Sequence, residues 1–138
     1  MAADTVLNTT VFDGAKKLIT HYNVVSGDGE GSTTKIVDVS ALNSSPANKT
    51  CKTVRLNKVS FNVSVTAPVD AIRMQWDATT DVVFQTLAGE MEFNYSDFGG
   101  LKNTGASGFT GDVNVVLPAC SAGDTGTIVC EWIKVYES

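Results

Sequence analysis

The sequence predicts an all-β protein, a single antiparallel β-sandwich of jelly-roll type with eight or nine strands. Three observations predict this fold. Apolar and polar residues alternate with period two in several segments, as they do on a half-buried strand. Turn-forming residues separate these segments at intervals of roughly ten residues, a spacing typical of sandwiches. No segment has a convincing helical period, and Val, Thr, Ser, Asn and Gly are frequent, which favours strands and turns.

The clearest alternation lies in the middle of the chain, in the segment Val69 to Leu87. Ile72, Met74 and Trp76 alternate there with polar residues, and residues 77–81 (DATTD) interrupt the pattern with turn-forming side chains. An apolar run, VVF, follows the interruption. We therefore predict a β-hairpin whose first strand faces the core, with the large Trp76 side chain buried in it.

The same pattern places the other strands. Seven further strands are expected, at 5–12, 16–25, 33–40, 52–66, 90–95, 110–117 and 125–137. The two halves of the strand at 52–66 have opposite parity, so a bulge near Asn57-Lys58 is needed for both halves to face the core. The core is expected to include Phe61, Val63, Ile72, Met74, Trp76 and Val115.

Glycine usage separates a strand-rich middle from a loop-rich end. No glycine occurs in residues 32–88, whereas eight of the twelve glycines lie in residues 89–126. The segment 96–109 (SDFGGLKNTGASGF) is a long loop, and long loops in compact domains often carry function. Its apolar side chains are candidates for an interface: Phe98, Leu101 and Phe109.

The predicted closing strand carries apolar residues on both faces. Ile128, Cys130, Trp132 and Tyr136 share one face. The opposite face supplies three further interface candidates: Val129, Ile133 and Val135. Two apolar faces are typical of a central strand or of a strand that contacts a neighbouring subunit, and we expect a homotrimer with this strand at or near the contact.

Length and charge constrain the class of protein. The 138 residues fit one domain, residues 1–138, with residues 1–10 as a candidate extended arm. A net charge of −5 argues against nucleic-acid binding, and no window is apolar enough to span a membrane. The start of the chain has no basic leader, so we expect no signal peptide. Three cysteines then fit reduced thiols, with a Cys120–Cys130 bridge as the alternative.

No set of residues indicates catalysis, a cofactor or a metal. His21 is the single histidine and lies inside a predicted strand, so no catalytic triad can be built on it. Asp77 and Asp81 are close enough for acid–base work, but their position in a turn favours a capping role. The acidic loop at residues 28–30 is a candidate for calcium but lacks the EF-hand spacing.

Three stretches carry a resemblance to a known group. The segments KIVDVSAL and MQWDATTDVVFQTL, and FGGL followed by GFTGDVNVV, resemble small virion structural proteins of marine tailed bacteriophages, over roughly Lys35 to Val135. This resemblance implies a non-enzymatic protein that is made in the host cytoplasm and decorates the capsid surface. It further implies the major capsid protein as partner and commonly a trimeric state. The alternative is a carbohydrate-binding or host-recognition module of a tail or head fibre.

Overall fold

The computed structural model describes residues 5–27, 31–44, 47–65, 71–102, 108, 110–118 and 122–136. These residues form nine strands: β1 Thr5–Asp13, β2 Lys17–Val25, β3 Ser32–Val37, β4 Cys51–Ser64, β5 Ile72–Trp76, β6 Val82–Leu87, β7 Gly89–Asn94, β8 Val113–Leu117 and β9 Thr125–Tyr136. Short 3-10 helices occur at Val39–Ala41 and Ser96–Phe98. No helix within the described ranges is long and apolar enough to cross a membrane.

The strands form two antiparallel sheets, which confirms the all-β, sandwich-like architecture. The five-stranded sheet has the order β1-β2-β9-β4-β7, and the four-stranded sheet has the order β3-β8-β5-β6. Four pairs are nested along the chain: β2 with β9, β3 with β8, β4 with β7, and β5 with β6. Two further pairs, β4 with β9 and β5 with β8, complete the sheets. The strand β1 adds to the free edge of β2.

The core lies between the two sheets. Trp76 of β5 and Trp132 of β9 are both fully buried, and their rings meet edge-on with centroids 6.5 Å apart. Phe84 of β6 stacks on Trp76, with ring centroids 3.9 Å apart. The six residues predicted for the core are all buried, which confirms that prediction: Phe61, Val63, Ile72, Met74, Trp76 and Val115.

The bulge expected in the long strand is also present. The register of β4 against β9 shifts between Leu56 and Lys58, at the predicted position. One extra residue reverses the parity of the residues that follow it. As a result, both halves of β4 bury their apolar side chains: Val54 and Leu56 before the shift, and Val59, Phe61 and Val63 after it.

The third strand is shorter than the pattern predicts. It was expected to extend to residue 40, but β3 ends at Val37 and a 3-10 helix begins at Val39. The carboxylate of Asp38 accepts a hydrogen bond from the backbone N–H of Ser40 at 3.1 Å. Such a local bond from an aspartate competes with ladder pairing, which explains the early end of the strand.

The closing strand occupies the centre of the five-stranded sheet. It pairs with β2 on one side and with β4 on the other. A central strand packs one face on the core and leaves the other on the outside of the sandwich. The central position therefore accounts for the apolar residues on the inward face of β9, such as Ile128 and Trp132, but not for Val129 on the outward face.

Candidate interface surfaces

The outward face of β9 carries three of the predicted interface residues. Val129 is 41% exposed, and Ile133 and Val135 are half-buried. They share one face because residues of the opposite parity, such as Cys130 and Trp132, point into the core. Cross-strand pairing places His21 of β2 beside Val129, so His21 also lies on this outward face.

Two hollows lie along the same outward face. The larger has a volume of about 410 Å³ and is lined by eight residues: Ser60, Phe61, Asn62, Glu90, Met91, Glu92, Thr127 and Val129. The smaller measures about 140 Å³ and shares Ser60 and Val129 with the larger. Five of the eight lining residues of the larger hollow thus carry hydroxyl, amide or carboxylate groups.

The loop after β7 presents one strongly exposed aromatic residue. Phe98 is 64% exposed and is the outermost ring of a row that begins in the core. From the core outward the row is Phe61, Phe93, Tyr95 and Phe98, with neighbouring centroids 6.0, 6.2 and 5.9 Å apart. Phe93 and Tyr95 pack against the core, whereas Phe98 faces solvent.

The other two loop candidates have different positions. The backbone of Leu101 exchanges two hydrogen bonds with Leu56 of β4, at 2.7 and 3.1 Å, and its side chain packs on the core. Leu101 is thus mainly a residue that attaches the loop to the sheet. Phe109 lies outside the described residues.

The edge strand β1 exposes apolar side chains that the sequence pattern only partly indicated. Val6, Leu7, Val11 and Phe12 are all exposed, and no charged residue occurs between Thr5 and Phe12. Edge strands usually carry charges that discourage pairing, as β7 does with Glu90 and Glu92. Residues 5–10 of the expected arm therefore form a strand of the sheet, and residues 1–4 lie outside the described residues.

A polar network closes one end of the four-stranded sheet. Asp112 accepts hydrogen bonds from Lys35 Nζ and from the backbone N–H of Val39, both at 2.9 Å. The hydrogen bond and charge of Asp112 raise the pKa of Lys35. Asp77 accepts from Thr110 Oγ1 at 2.7 Å and from Asn114 Nδ2 at 3.1 Å. The network joins β3, β5 and β8. Both carboxylate oxygens of Asp112 and both of Asp77 accept hydrogen bonds within it.

The second aspartate of the predicted turn has the capping role expected of it. Asp81 Oδ1 accepts a hydrogen bond from the backbone N–H of Ala78 at 3.0 Å. The Asp77 and Asp81 side chains thus hold the loop between β5 and β6 and the segment before β8. Within the described ranges, no group of three or more His, Cys, Asp or Glu residues is arranged to hold a metal ion. The acidic loop at residues 28–30 lies outside those ranges.

A buried lysine joins the first and last strands. The side chain of Lys134 on β9 is 0% exposed and forms an ion pair with Asp13 at the end of β1. Sequence reasoning missed this pair, although strand parity places Lys134 on the inward face with Trp132. An inward-facing lysine needs a partner, and that requirement was the available signal.

The two cysteines in the described ranges are buried free thiols. Burial raises the pKa of the Cys51 thiol and raises that of Cys130 as well. Protonated buried thiols are poor nucleophiles, so neither resembles a catalytic cysteine. Cys120, the alternative partner of Cys130, lies outside the described residues.

Comparisons with known proteins do not assign the chain to a family. No family model matches it, no curated protein matches it, and no solved structure matches it. Function must therefore be inferred from the surfaces and contacts described above.

Proposed function

We propose that this protein is a structural protein of a tailed-phage virion, a decoration or cement protein that binds the assembled head and bridges neighbouring subunits of the major capsid protein. The observation that carries the proposal is the apolar edge strand β1, which exposes Val6, Leu7, Val11 and Phe12. An unpaired strand edge offers backbone hydrogen bonds to a partner, and its apolar side chains offer contact area. No catalytic group is required for this role.

The strand order supports a jelly-roll classification. Without β1, the sheets read β2-β9-β4-β7 and β3-β8-β5-β6, as expected when one long antiparallel ribbon is wrapped into two sheets. Viral capsid domains commonly use this arrangement, but lectin domains use it too. Fold alone therefore does not choose between the candidates, and the exposed surfaces must do so.

Cement proteins act through mass action. A protein that binds only the assembled lattice lowers the free energy of that lattice relative to its dissociated subunits. The exposed Phe98 ring offers a second apolar contact, because it projects from the loop after β7, the strand at the opposite edge of this sheet from β1. We further propose a homotrimer in which the outward side chains of β9 contact a neighbouring copy: Val129, Ile133 and Val135.

A carbohydrate-binding or host-recognition module is the second candidate. The larger hollow favours it, because Ser60, Asn62, Thr127 and two glutamates offer the hydroxyl, amide and carboxylate groups that bind sugar hydroxyls. Aromatic platforms are the usual companions of such groups in sugar sites. Phe61 is the aromatic residue among those that line this hollow, and its side chain is buried in the core, so the polar lining alone favours this candidate.

Phage particles with and without the protein provide the test. Under the cement proposal, particles that lack it lose DNA or dissociate at lower temperature and at low ionic strength, and added purified protein restores their resistance. Equal resistance of both particle types would show that the cement role is wrong. A loss of host adsorption in the same particles, together with glycan binding by the purified protein, would favour the second candidate.

A further inference from the structure

The ion pair between Lys134 and Asp13 is unusual in its burial. The Lys134 side chain is 0% exposed, while the Asp13 side chain is 16% exposed. By contrast, the Lys17–Glu131 pair on the outward face of the same sheet has side chains that are 52% and 26% exposed. Lysine is almost never fully buried, because removing its charge from water is costly. The inner pair therefore places an amine and a carboxyl group together where little water reaches them.

Asn43 forms hydrogen bonds with both members of the pair. Asp13 Oδ1 contacts Lys134 Nζ directly, and Asp13 Oδ2 accepts a hydrogen bond from the backbone N–H of Asn43 at 2.9 Å. The backbone oxygen of Asn43 accepts a hydrogen bond from Lys134 Nζ at 3.3 Å. The side-chain amide of Asn43 also donates to the backbone oxygen of Asp13 at 3.1 Å. The amine thus lies against the carboxyl group, whose carbon is one bond from the contacted oxygen.

We propose that Lys134 and Asp13 form an intramolecular isopeptide bond. One proton passes from the ammonium to the carboxylate, which leaves a neutral amine and a carboxylic acid. Nζ of Lys134 then adds to Cγ of Asp13, and the adduct loses one hydroxyl and one proton as water. A C–N bond forms and a C–O bond breaks. No atom is oxidised or reduced, and no external reactant is needed.

The surroundings favour this condensation. The Lys134 side chain is 0% exposed and the Asp13 side chain is 16% exposed, so little water separates the amine from the carboxyl carbon or competes with it. The N–H of Asn43 on Oδ2 withdraws electron density from the carboxyl carbon and can stabilise the oxyanion of the adduct. Fixed positions of both reactants replace a bimolecular encounter with an intramolecular one. The product amide is neutral and removes two buried charges.

The bond would attach the edge strand to the centre of the sheet. Asp13 and Lys134 are 121 residues apart in sequence, and β2 lies between their strands. A covalent link here would close nearly the whole chain into a loop, which restricts the unfolded state and prevents β1 from separating from the sandwich. This inference does not depend on the proposed virion role.

Intact-mass measurement of the purified full chain, after overnight incubation at neutral pH, tests the bond. The expected mass is that of the sequence minus one water. The Lys134→Arg and Asp13→Ala variants should have the full mass, because each lacks one reactant. The Lys17→Arg variant is the matched control, since Lys17 pairs with a carboxylate on the exposed face, and it should retain the deficit.

Tryptic digestion locates the bond without requiring any variant to fold. Trypsin does not cleave after an amidated lysine, so residues 1–16 and 103–138 should remain joined in one branched species. Release of the C-terminal tetrapeptide VYES from the wild type would show that Lys134 is free and would overturn the proposal. A full-length mass without the deficit, or a deficit that persists in Lys134→Arg, would overturn it equally.

Discussion

Trp132 donates its indole N–H to Thr20 Oγ1 at 3.0 Å, inside the core and across the β2–β9 seam. Trp76 lies edge-on to the same Trp132 ring, but its own N–H has no hydrogen-bond partner among the described residues. Of the two buried indole N–H groups, that of Trp132 is thus hydrogen-bonded and that of Trp76 is not. The difference matters because an unpaired buried donor already costs free energy in the folded state.

Substitution of the two tryptophans by phenylalanine should therefore have unequal effects. Trp132→Phe removes volume and also breaks the bond to Thr20, whereas Trp76→Phe removes volume together with an unsatisfied donor. We expect Trp132→Phe to lower the free energy of unfolding by about 1–2 kcal/mol more than Trp76→Phe does. Urea denaturation of both variants measures the difference. Equal losses would contradict the assignment of the hydrogen bond.

Two glycines provide a matched test of backbone crowding. Gly111 and Gly89 have positive φ angles of 87° and 79°, so alanine is strained at either position. A Cβ at Gly111 would lie 2.0 Å from the backbone oxygen of Lys52, whereas a Cβ at Gly89 would have no atom within 4 Å. Gly89→Ala should cost about 1–2 kcal/mol, the ordinary penalty for a left-handed residue.

Gly111→Ala should cost clearly more than Gly89→Ala, because the backbone at Lys52 must move as well. Thermal unfolding followed by circular dichroism compares the two variants under one set of conditions. A Gly111→Ala protein as stable as Gly89→Ala would mean that the segment before β8 does not pack closely on β4.

Acid should weaken the network around Asp77. The hydrogen bond from Thr110 is the largest of several effects that hold the pKa of Asp77 below its ordinary value of 3.8. A group whose pKa is lower in the folded state stabilises that state above its unfolded pKa, and the contribution disappears as the pH falls through the folded pKa. The Asp77 contribution is therefore present at neutral pH and is lost below 3.8.

Removal of the Thr110 hydroxyl should reduce this pH dependence. We expect Thr110→Val to be less stable than the wild type at neutral pH, and the gap between the two proteins to narrow below pH 3.8. Urea denaturation of both proteins at neutral pH and below pH 3.8 measures this gap in the free energy of unfolding. Thr86→Val, at an exposed position on β6, is the control. A gap that stays constant with pH would indicate that Thr110 stabilises the fold without affecting Asp77 ionisation.

The buried thiols should be inert in the native protein. Burial raises the pKa values of both Cys51 and Cys130, so little thiolate is present at neutral pH and reagents have poor access to it. In a Cys120→Ser background, a thiol reagent should label neither residue until denaturant is added, after which both should react. Rapid labelling of the folded protein would show that the interior opens readily near β4 or β9.

The exposed ring of Phe98 should matter for assembly and little for folding. Phe98→Ser changes a residue that is 64% exposed, so the unfolding temperature should stay close to that of the wild type. Binding to particles that lack the protein should weaken by roughly tenfold if the ring is an anchor of the interface. Val83→Ser, at a residue 44% exposed on β6, is the control and should bind normally. Unchanged binding by Phe98→Ser would remove this loop from the interface.

The aromatic residues near the Gly-rich loop illustrate what local pattern leaves open. Phe93, Tyr95 and Phe98 lie within six residues of each other, and their sequence context favours core packing, with exposure as the alternative. In the structure the first two pack on the core and the third faces solvent. Their positions depend on how β7 pairs with β4, and that pairing joins residues distant in sequence.

By itself, the sequence determined which segments form strands, though not every strand end, which side chains of β5 are buried and where β4 needs a bulge, because period-two alternation is a local property of the chain. The order of the strands in the two sheets, the central place of β9, the apolar edge at β1 and the meeting of Lys134 with Asp13 were decided only by the tertiary structure. The physical reason is that a strand pattern specifies which face is buried but not which strand is its neighbour. Local parity indicates that Lys134 faces inward and needs a partner, but the choice of Asp13 depends on pairing across 121 residues.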